Sequence, residues 1–127
     1  MLYPFPHATY AIARVPYRRP YDAPIAARAG ELVQPVTDGA PTTDIMGWSY
    51  CRGADGREGW VPDAWCVMDA AGWRLVRDFD AMELSASPGD RFRLLLSESG
   101  FVFVEAANGD TGWLPDAVLE LETGQAG

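Results

Sequence analysis

The chain has 127 residues, of which 48% are hydrophobic, with five Trp, five Tyr and five Phe. This content is enough for two small folded cores and excludes an intrinsically disordered protein, apart from the last residues, ETGQAG. The formal net charge is −8, and residues 69–127 hold eleven acids against four Arg, so we expect binding neither to nucleic acid nor to membrane.

Residues 1–10 carry no basic segment followed by an apolar run, and no stretch reaches membrane-spanning length. We therefore predict a cytoplasmic protein. All ten basic residues are Arg, which we interpret as the coding bias of a GC-rich bacterium.

Short strands are predicted along the whole chain, because aromatic and β-branched runs alternate with Gly, Pro and Asp. They cover residues 10–15, 31–36, 48–53, 57–62 and 65–68, and then 73–78, 91–96, 101–106, 111–115 and 118–122. Asp55-Gly56 and Asn108-Gly109 each lie between two strands, which predicts tight hairpins. No amphipathic helix of ten residues is expected. The pattern predicts an all-β protein with two small, partly open five-stranded barrels.

The chain contains an internal repeat. GWVPDAWC at 59–66 and GWLPDAVL at 112–119 share five of eight residues and start 53 positions apart. We therefore predict an N-terminal extension (1–9), a domain (10–68), a very short linker (69–72), a second domain (73–122) and a tail (123–127).

Two motifs resemble Src-homology-3 (SH3) domains. LVRDFDAMELSASPGD at 75–90 is similar to the family's opening signature, ALYDY…ELSF…GD, and GWLPDAVLEL at 112–121 to its closing one. The first repeat fits the same frame. The resemblance implies two tandem SH3-like barrels that bind extended, proline-rich peptides in a shallow aromatic groove.

The resemblance places the peptide-binding residues of the first repeat at Tyr17, Trp48, Pro62 and Trp65, while Val15 and Ala64 depart from the family pattern. The matching positions of the second repeat retain only two aromatic rings: Arg77, Phe79, Phe101, Pro115, Ala117 and Val118. We expect a binding barrel followed by a supporting barrel with an eroded groove. An alternative for Trp48 and Trp65 is burial between the domains. Trp60 and Trp113 are expected to be structural, since both repeats carry them.

The first long loop places Arg18 and Arg19 against a single acid, Asp22, where the family usually has acids. These residues are predicted to relax the ligand's charge preference or reverse it toward acidic peptides. The alternative is that the arginines are solvated or pair with acids of the second barrel.

No catalytic site, metal site or cofactor is predicted. Cys51 and Cys66 match Val104 and Leu119 in the repeat, so we interpret them as small buried apolar residues, although a disulfide is left open. His7 is the sole histidine, and with two Cys it provides too few ligands for structural zinc. The acids Asp78, Asp80 and Glu83 are expected to form a solvated loop.

The function expected from these features is a non-catalytic, monomeric adaptor. Its partner is a proline-containing segment of another protein, or its own N-terminal extension, YPFP at 3–6. The longer connection at 37–47 borders the groove and would tune specificity. The alternative function is an accessory subunit of a larger bacterial complex without a peptide ligand. Binding of cell-wall peptides is a third possibility, which the absence of an export signal disfavours.

Overall fold

The computed structural model of the chain describes residues 2–6, 8–43 and 45–122. His7, Asp44 of the 37–47 connection and the tail 123–127 lie outside the described residues. The described residues form β-strands and two 3-10 helices, Asp63–Trp65 and Asp116–Val118, which confirms the all-β prediction. The strands are β1 (Leu2–Pro4), β2 (Tyr10–Ala13), β3 (Ala26–Ala27), β4 (Leu32–Pro35), β5 (Trp48–Arg52), β6 (Glu58–Pro62), β7 (Cys66–Asp69), β8 (Gly72–Leu75), β9 (Phe79–Asp80), β10 (Arg91–Glu98), β11 (Phe101–Ala106), β12 (Thr111–Pro115) and β13 (Leu119–Leu121).

The chain forms two compact units, one of which is built from two separate segments. Residues Tyr21–Met82 make the first, which we name the continuous unit. Residues Met1–Pro20 and Glu83–Gly127 make the second, which we name the split unit.

The continuous unit contains a five-stranded antiparallel sheet with the strand order β6-β5-β4-β8-β7. A separate two-stranded ribbon pairs β3 with β9. The split unit contains a six-stranded sheet with the path β12-β11-β10-β2-β13, and β1 also pairs with β10. Among the described residues, neither path closes on itself.

The two units have the same topology. In each, three consecutive strands form a meander, and a fourth strand lies between the first strand of that meander and the strand that follows the 3-10 helix. This fourth strand is β8 in the continuous unit and β2 in the split unit. The opening strand of each sequence repeat therefore completes the sheet of the other repeat.

This exchange corrects the predicted domains at 10–68 and 73–122. Residues 10–20 belong to the unit that contains 83–122, and residues 73–82 belong to the unit that contains 21–68. The predicted linker, 69–72, is the turn of a hairpin that joins β7 to β8 inside the continuous unit.

The sequence DAAG at 69–72 explains the exchange. Asp69 and Gly72 are register partners, and the Asp69 carboxylate accepts the N–H of Ala71 at 2.8 Å. Gly72 has φ of 129°, a conformation that side-chain-bearing residues rarely adopt. Closing this short hairpin costs little chain entropy, so β8 pairs beside β7 and occupies the place predicted for β2.

The predicted hairpins at the two Gly positions are confirmed. Gly56 and Gly109 have φ of 87° and 91°. Their N–H groups donate to the carbonyls of Gly53 and Ala106 at 3.0 and 2.9 Å.

Each unit has its own buried residues. The continuous unit buries Ile25, Val33, Cys51, Val61 and Leu75, and the core of the split unit consists of Ala11, Ala13, Ala86, Phe92, Leu94, Val102, Val104, Leu114 and Val118. A Cβ at Gly59 would lie 2.9 Å from Cγ2 of the fully buried Ile25. The glycine of the first Gly-Trp motif is thus required by packing.

Part of the N-terminal extension forms the strand β1 of the split unit. Residues 2–4 pair with 96–98 of β10, and the N–H of Phe5 donates to the carbonyl of Leu95 at 2.9 Å. A register shift between Leu94 and Leu96 separates this part of β10 from the part that pairs with β2. The extension is therefore an integral strand of the split unit.

Charge is spread over both units. The continuous unit holds ten acids and five Arg, and the split unit holds eight acids and five Arg. The excess of acids that the sequence places in residues 69–127 is therefore not confined to one folded unit. None of the helices in the described part of the chain has the length and apolar character needed to cross a membrane.

Candidate interaction site

An aromatic cluster, defined as Trp48, Trp65 and Phe79, lies at one end of the sheet in the continuous unit. The centroid of the Phe79 ring lies 5.4 Å from that of the Trp65 ring, and these two rings are nearly perpendicular. The Phe79 and Trp48 ring centroids are 6.3 Å apart. Trp48 is the register partner of Pro62, so these two side chains share one face of the β5–β6 pair. Three predicted residues, Trp48, Pro62 and Trp65, thus belong to one site.

The 3-10 helix after β6 brings Trp65 to this cluster. The N–H of Asp63 donates to the carbonyl of Gly47 at 2.8 Å, and the hydroxyl of Ser49 donates to the Asp63 carboxylate at 2.5 Å. These bonds fix the turn against the start of β5, where Trp48 lies. Local hydrogen bonding therefore fixes the relative positions of Trp48 and Trp65.

Exposure differs sharply within the cluster. Trp65 and Phe79 are each 5% exposed and Pro62 is fully buried, whereas Trp48 is half-buried. The Arg77 guanidinium lies 4.3 Å from the Trp65 ring centroid, a cation–π contact that covers the ring. Trp65 is therefore part of the folded core, and Trp48 is the ring through which the cluster meets solvent.

A second aromatic pair extends the same face. Tyr50 and Trp60 are register partners with ring centroids 5.3 Å apart, and both are half-buried. Trp48, Tyr50 and Trp60 therefore present rings along the β5–β6 pair. The Gly-Trp pair shared by both repeats predicts a structural role for Trp60 and for Trp113. The match in the split unit, Trp113, is indeed buried at 3% exposure.

The structure places the fourth predicted residue, Tyr17, outside the continuous unit. It lies in the split unit, where its backbone pairs with Ala86 and its hydroxyl donates to the Glu83 carboxylate. The place predicted for Tyr17 is taken by Phe79, its counterpart in the other repeat. The repeat aligns Phe79 with Tyr17. It does not show which of the two folded units each residue joins.

The predicted charge-selecting residues are also divided. Arg18 and Arg19 lie in the split unit, whereas Asp22 lies in the continuous unit. The segment that carries Phe79 supplies Asp78 and Asp80 to the continuous unit instead. Asp78 accepts the N–H of Ala29 at 2.8 Å, and Asp80 accepts that of Met82 at 2.9 Å.

Glu83 differs from the expected solvated acid. It is half-buried, and burial raises the pKa of its carboxyl above 4.5, although the hydrogen bond from Tyr17 acts in the opposite direction. The folded protein therefore holds this proton to a higher pH than the unfolded chain does. The contribution of this group to stability is greatest below pH 4.5 and declines as the pH rises through the folded pKa.

We expect Glu83→Gln to abolish this decline, because the amide still accepts the Tyr17 hydroxyl but does not ionise. Urea unfolding of both proteins from about pH 4 to about pH 7 measures the difference. The variant should gain stability relative to the parent as the pH rises. A constant difference across this interval would contradict a raised pKa.

Both cysteines are free thiols, and they follow the expectation for small apolar residues. Cys51 is fully buried like its match Val104, and Cys66 is half-buried like Leu119. Burial, followed by the nearby Cys66 and Asp63, raises the pKa of Cys51 to about 12. Burial and Asp63 also raise the pKa of Cys66.

Alkylation by iodoacetamide at about pH 8 should therefore be slow for Cys66 and unmeasurable for native Cys51. At that pH only about one Cys51 in ten thousand is a thiolate. Mass spectrometry of the Cys66→Ala variant isolates Cys51, and labelling in urea is the positive control. Equal rates for the native and unfolded protein would disprove the buried placement.

Among residues 2–6, 8–43 and 45–122, no group of three or more His, Cys, Asp or Glu is arranged to hold a metal ion. No protein family, curated protein or solved structure gives a significant match to this chain. The function of the candidate site is therefore inferred from its geometry alone.

Proposed function

We propose that the protein is a non-catalytic interaction protein made of two SH3-like units, and that the continuous unit binds an extended, proline-containing peptide. The observation that carries this proposal is the convergence of Trp48, Trp65 and Phe79 beside Pro62. Trp48 contributes the reachable ring, and the Tyr50–Trp60 pair continues the surface. Proline rings pack well on such faces, and a preformed extended peptide loses little entropy on binding.

The ligand proposed here carries a basic residue. Arg18 and Arg19, which suggested acidic ligands, belong to the split unit, while the continuous unit has twice as many acids as arginines. Asp78 and Asp80 flank Phe79 on its own segment. Complementary charge of this kind favours encounter with basic peptides more than it adds affinity, which we expect to be about micromolar.

A peptide-display selection on the full chain tests the proposal. Peptides with proline and a basic residue should be enriched on the parent protein and lost on Trp48→Ala, which removes a half-buried ring without opening the core. Trp73→Ala is the matched control, since Trp73 is a half-buried tryptophan of the same unit with no ring contact to the cluster in the described structure. Enrichment of proline-containing peptides that survives Trp48→Ala, or the absence of such enrichment on the parent protein, would refute the proposal.

The second candidate function is an accessory subunit without a peptide ligand. It is supported by the burial of Trp65 and Phe79 and by Arg77 over the Trp65 ring, which together leave a smaller open surface than a groove of four exposed rings. Failure of the selection would favour this function.

A further inference from the structure

The split unit contains a cleft of its own, next to the hairpin that joins β10 and β11. Its volume is 370 Å³. The lining residues are Phe5, Ser97, Ser99, Gly100, Phe101, Val102 and Asp116, all of them in the split unit. Phe5 comes from the N-terminal extension, so the strand β1 holds one wall of the cleft in place.

The walls combine aromatic rings with oxygen acceptors. Phe5 and Phe101 supply rings, and Ser97 and Ser99 supply hydroxyls. The Ser99 hydroxyl donates to the fully buried Glu98 carboxylate at 2.7 Å, which orients it away from a role as donor to a ligand. Asp116 is the one charged residue among the described lining residues.

Comparison of the two units shows that Asp116 lacks an internal donor that its counterpart has. Asp63 and Asp116 hold equivalent places, since each N–H donates to the carbonyl of a matching glycine, Gly47 or Gly100. The Asp63 carboxylate accepts the hydroxyl of Ser49. The residue matching Ser49 is Val102, which has no hydroxyl, and the exposed Asp116 carboxylate has no side-chain partner among the described residues.

We propose that this cleft binds the guanidinium group of an arginine in an extended segment of a partner protein. A guanidinium is planar, so it stacks on the Phe5 and Phe101 rings while donating to the Asp116 carboxylate. Its apolar stem suits Val102 and the rings, and a neutral side chain would lack the charge that pairs with the carboxylate. The site is separate from the aromatic cluster and does not depend on the function proposed for that cluster.

Nuclear magnetic resonance with the full-length, isotope-labelled protein tests the proposal. The probe is acetyl-Ala-Arg-Ala-amide, and the control is the same peptide with citrulline, which keeps the shape of arginine but is uncharged. We expect saturable shifts at the amides of Ser99, Gly100 and Phe101. The citrulline peptide should bind about two- to fivefold more weakly.

Two matched variants assign the effect to the carboxylate. Asp116→Asn should weaken binding of the arginine peptide by about two- to fivefold, whereas Asp63→Asn, at the equivalent place in the other unit, should leave these shifts unchanged. Absence of saturable shifts at the cleft, equal binding of citrulline, or full binding by Asp116→Asn would overturn the proposal. Loss of the peptide-display signal in Trp48→Ala would leave this result unaffected.

Discussion

A fragment of residues 21–82 should fold by itself, whereas a fragment of residues 10–68, the first domain indicated by the repeat, should not. The fragment 10–68 lacks β8, which lies between β4 and β7 and supplies the fully buried Leu75. It also removes Phe79 from the aromatic cluster. Each of these two side chains contributes about 1.5–3 kcal/mol on burial. A domain of about 60 residues has only a few kcal/mol of stability, so this loss should unfold it.

The matched comparison is between fragments 10–82 and 10–68, which share the first strand and differ only in residues 69–82. Dispersed amide resonances and cooperative urea unfolding are expected for 10–82 and for 21–82, and a disordered spectrum for 10–68. Cooperative folding of 10–68 would mean that β2 can replace β8, and the exchange of opening strands would then not be fixed by the sequence of the continuous unit.

Trp65→Ala should destabilise the protein by about 3–5 kcal/mol, because it removes a large ring that is 5% exposed and leaves Phe79 and Arg77 without their packing partner. Trp48→Ala should cost only about 1 kcal/mol, since that ring is half-buried. Urea unfolding followed by circular dichroism measures both, independently of the lost tryptophan fluorescence.

Trp65→Phe is the control, because it keeps an aromatic ring beside Phe79 and should recover most of the lost stability. The comparison also decides which substitutions are suitable for binding studies. Equal, small costs for Trp48→Ala and Trp65→Ala would place Trp65 on the surface and restore an open groove with two exposed tryptophans. The large difference expected here makes Trp48 the informative residue for binding.

Local sequence signals predicted most individual elements. The strands at 101–106 and 111–115 have the predicted bounds, and the other predicted strands occur with ends shifted by one to three residues. Asp55-Gly56 and Asn108-Gly109 form the expected hairpins because their turn conformations depend on a few adjacent residues. Three short strands, β1, β3 and β9, were not predicted, since two or three residues carry too little pattern to stand out from loops.

Local sequence signals also predicted part of the candidate site. Trp48, Pro62 and Trp65 come together because β5, β6 and the 3-10 helix are consecutive in the chain. Phe79 joins them from a segment outside this consecutive set, whereas Tyr17 belongs to the split unit, and the repeat does not show which unit each of these two residues enters. The role of Arg77 in covering Trp65 follows from the same placement.

The sequence by itself determined that the chain is all-β, where its strands and tight turns lie, and that two similar sheets are built from two similar repeats. Only the tertiary structure decided which opening strand completes which sheet. The repeat assigns both strands to the same place in a sheet, although Leu75 of β8 is larger than Ala13, the matching buried residue of β2. The choice follows from the hairpin at 69–72, which pairs β8 with β7 at little entropic cost and leaves β2 for β10 and β13.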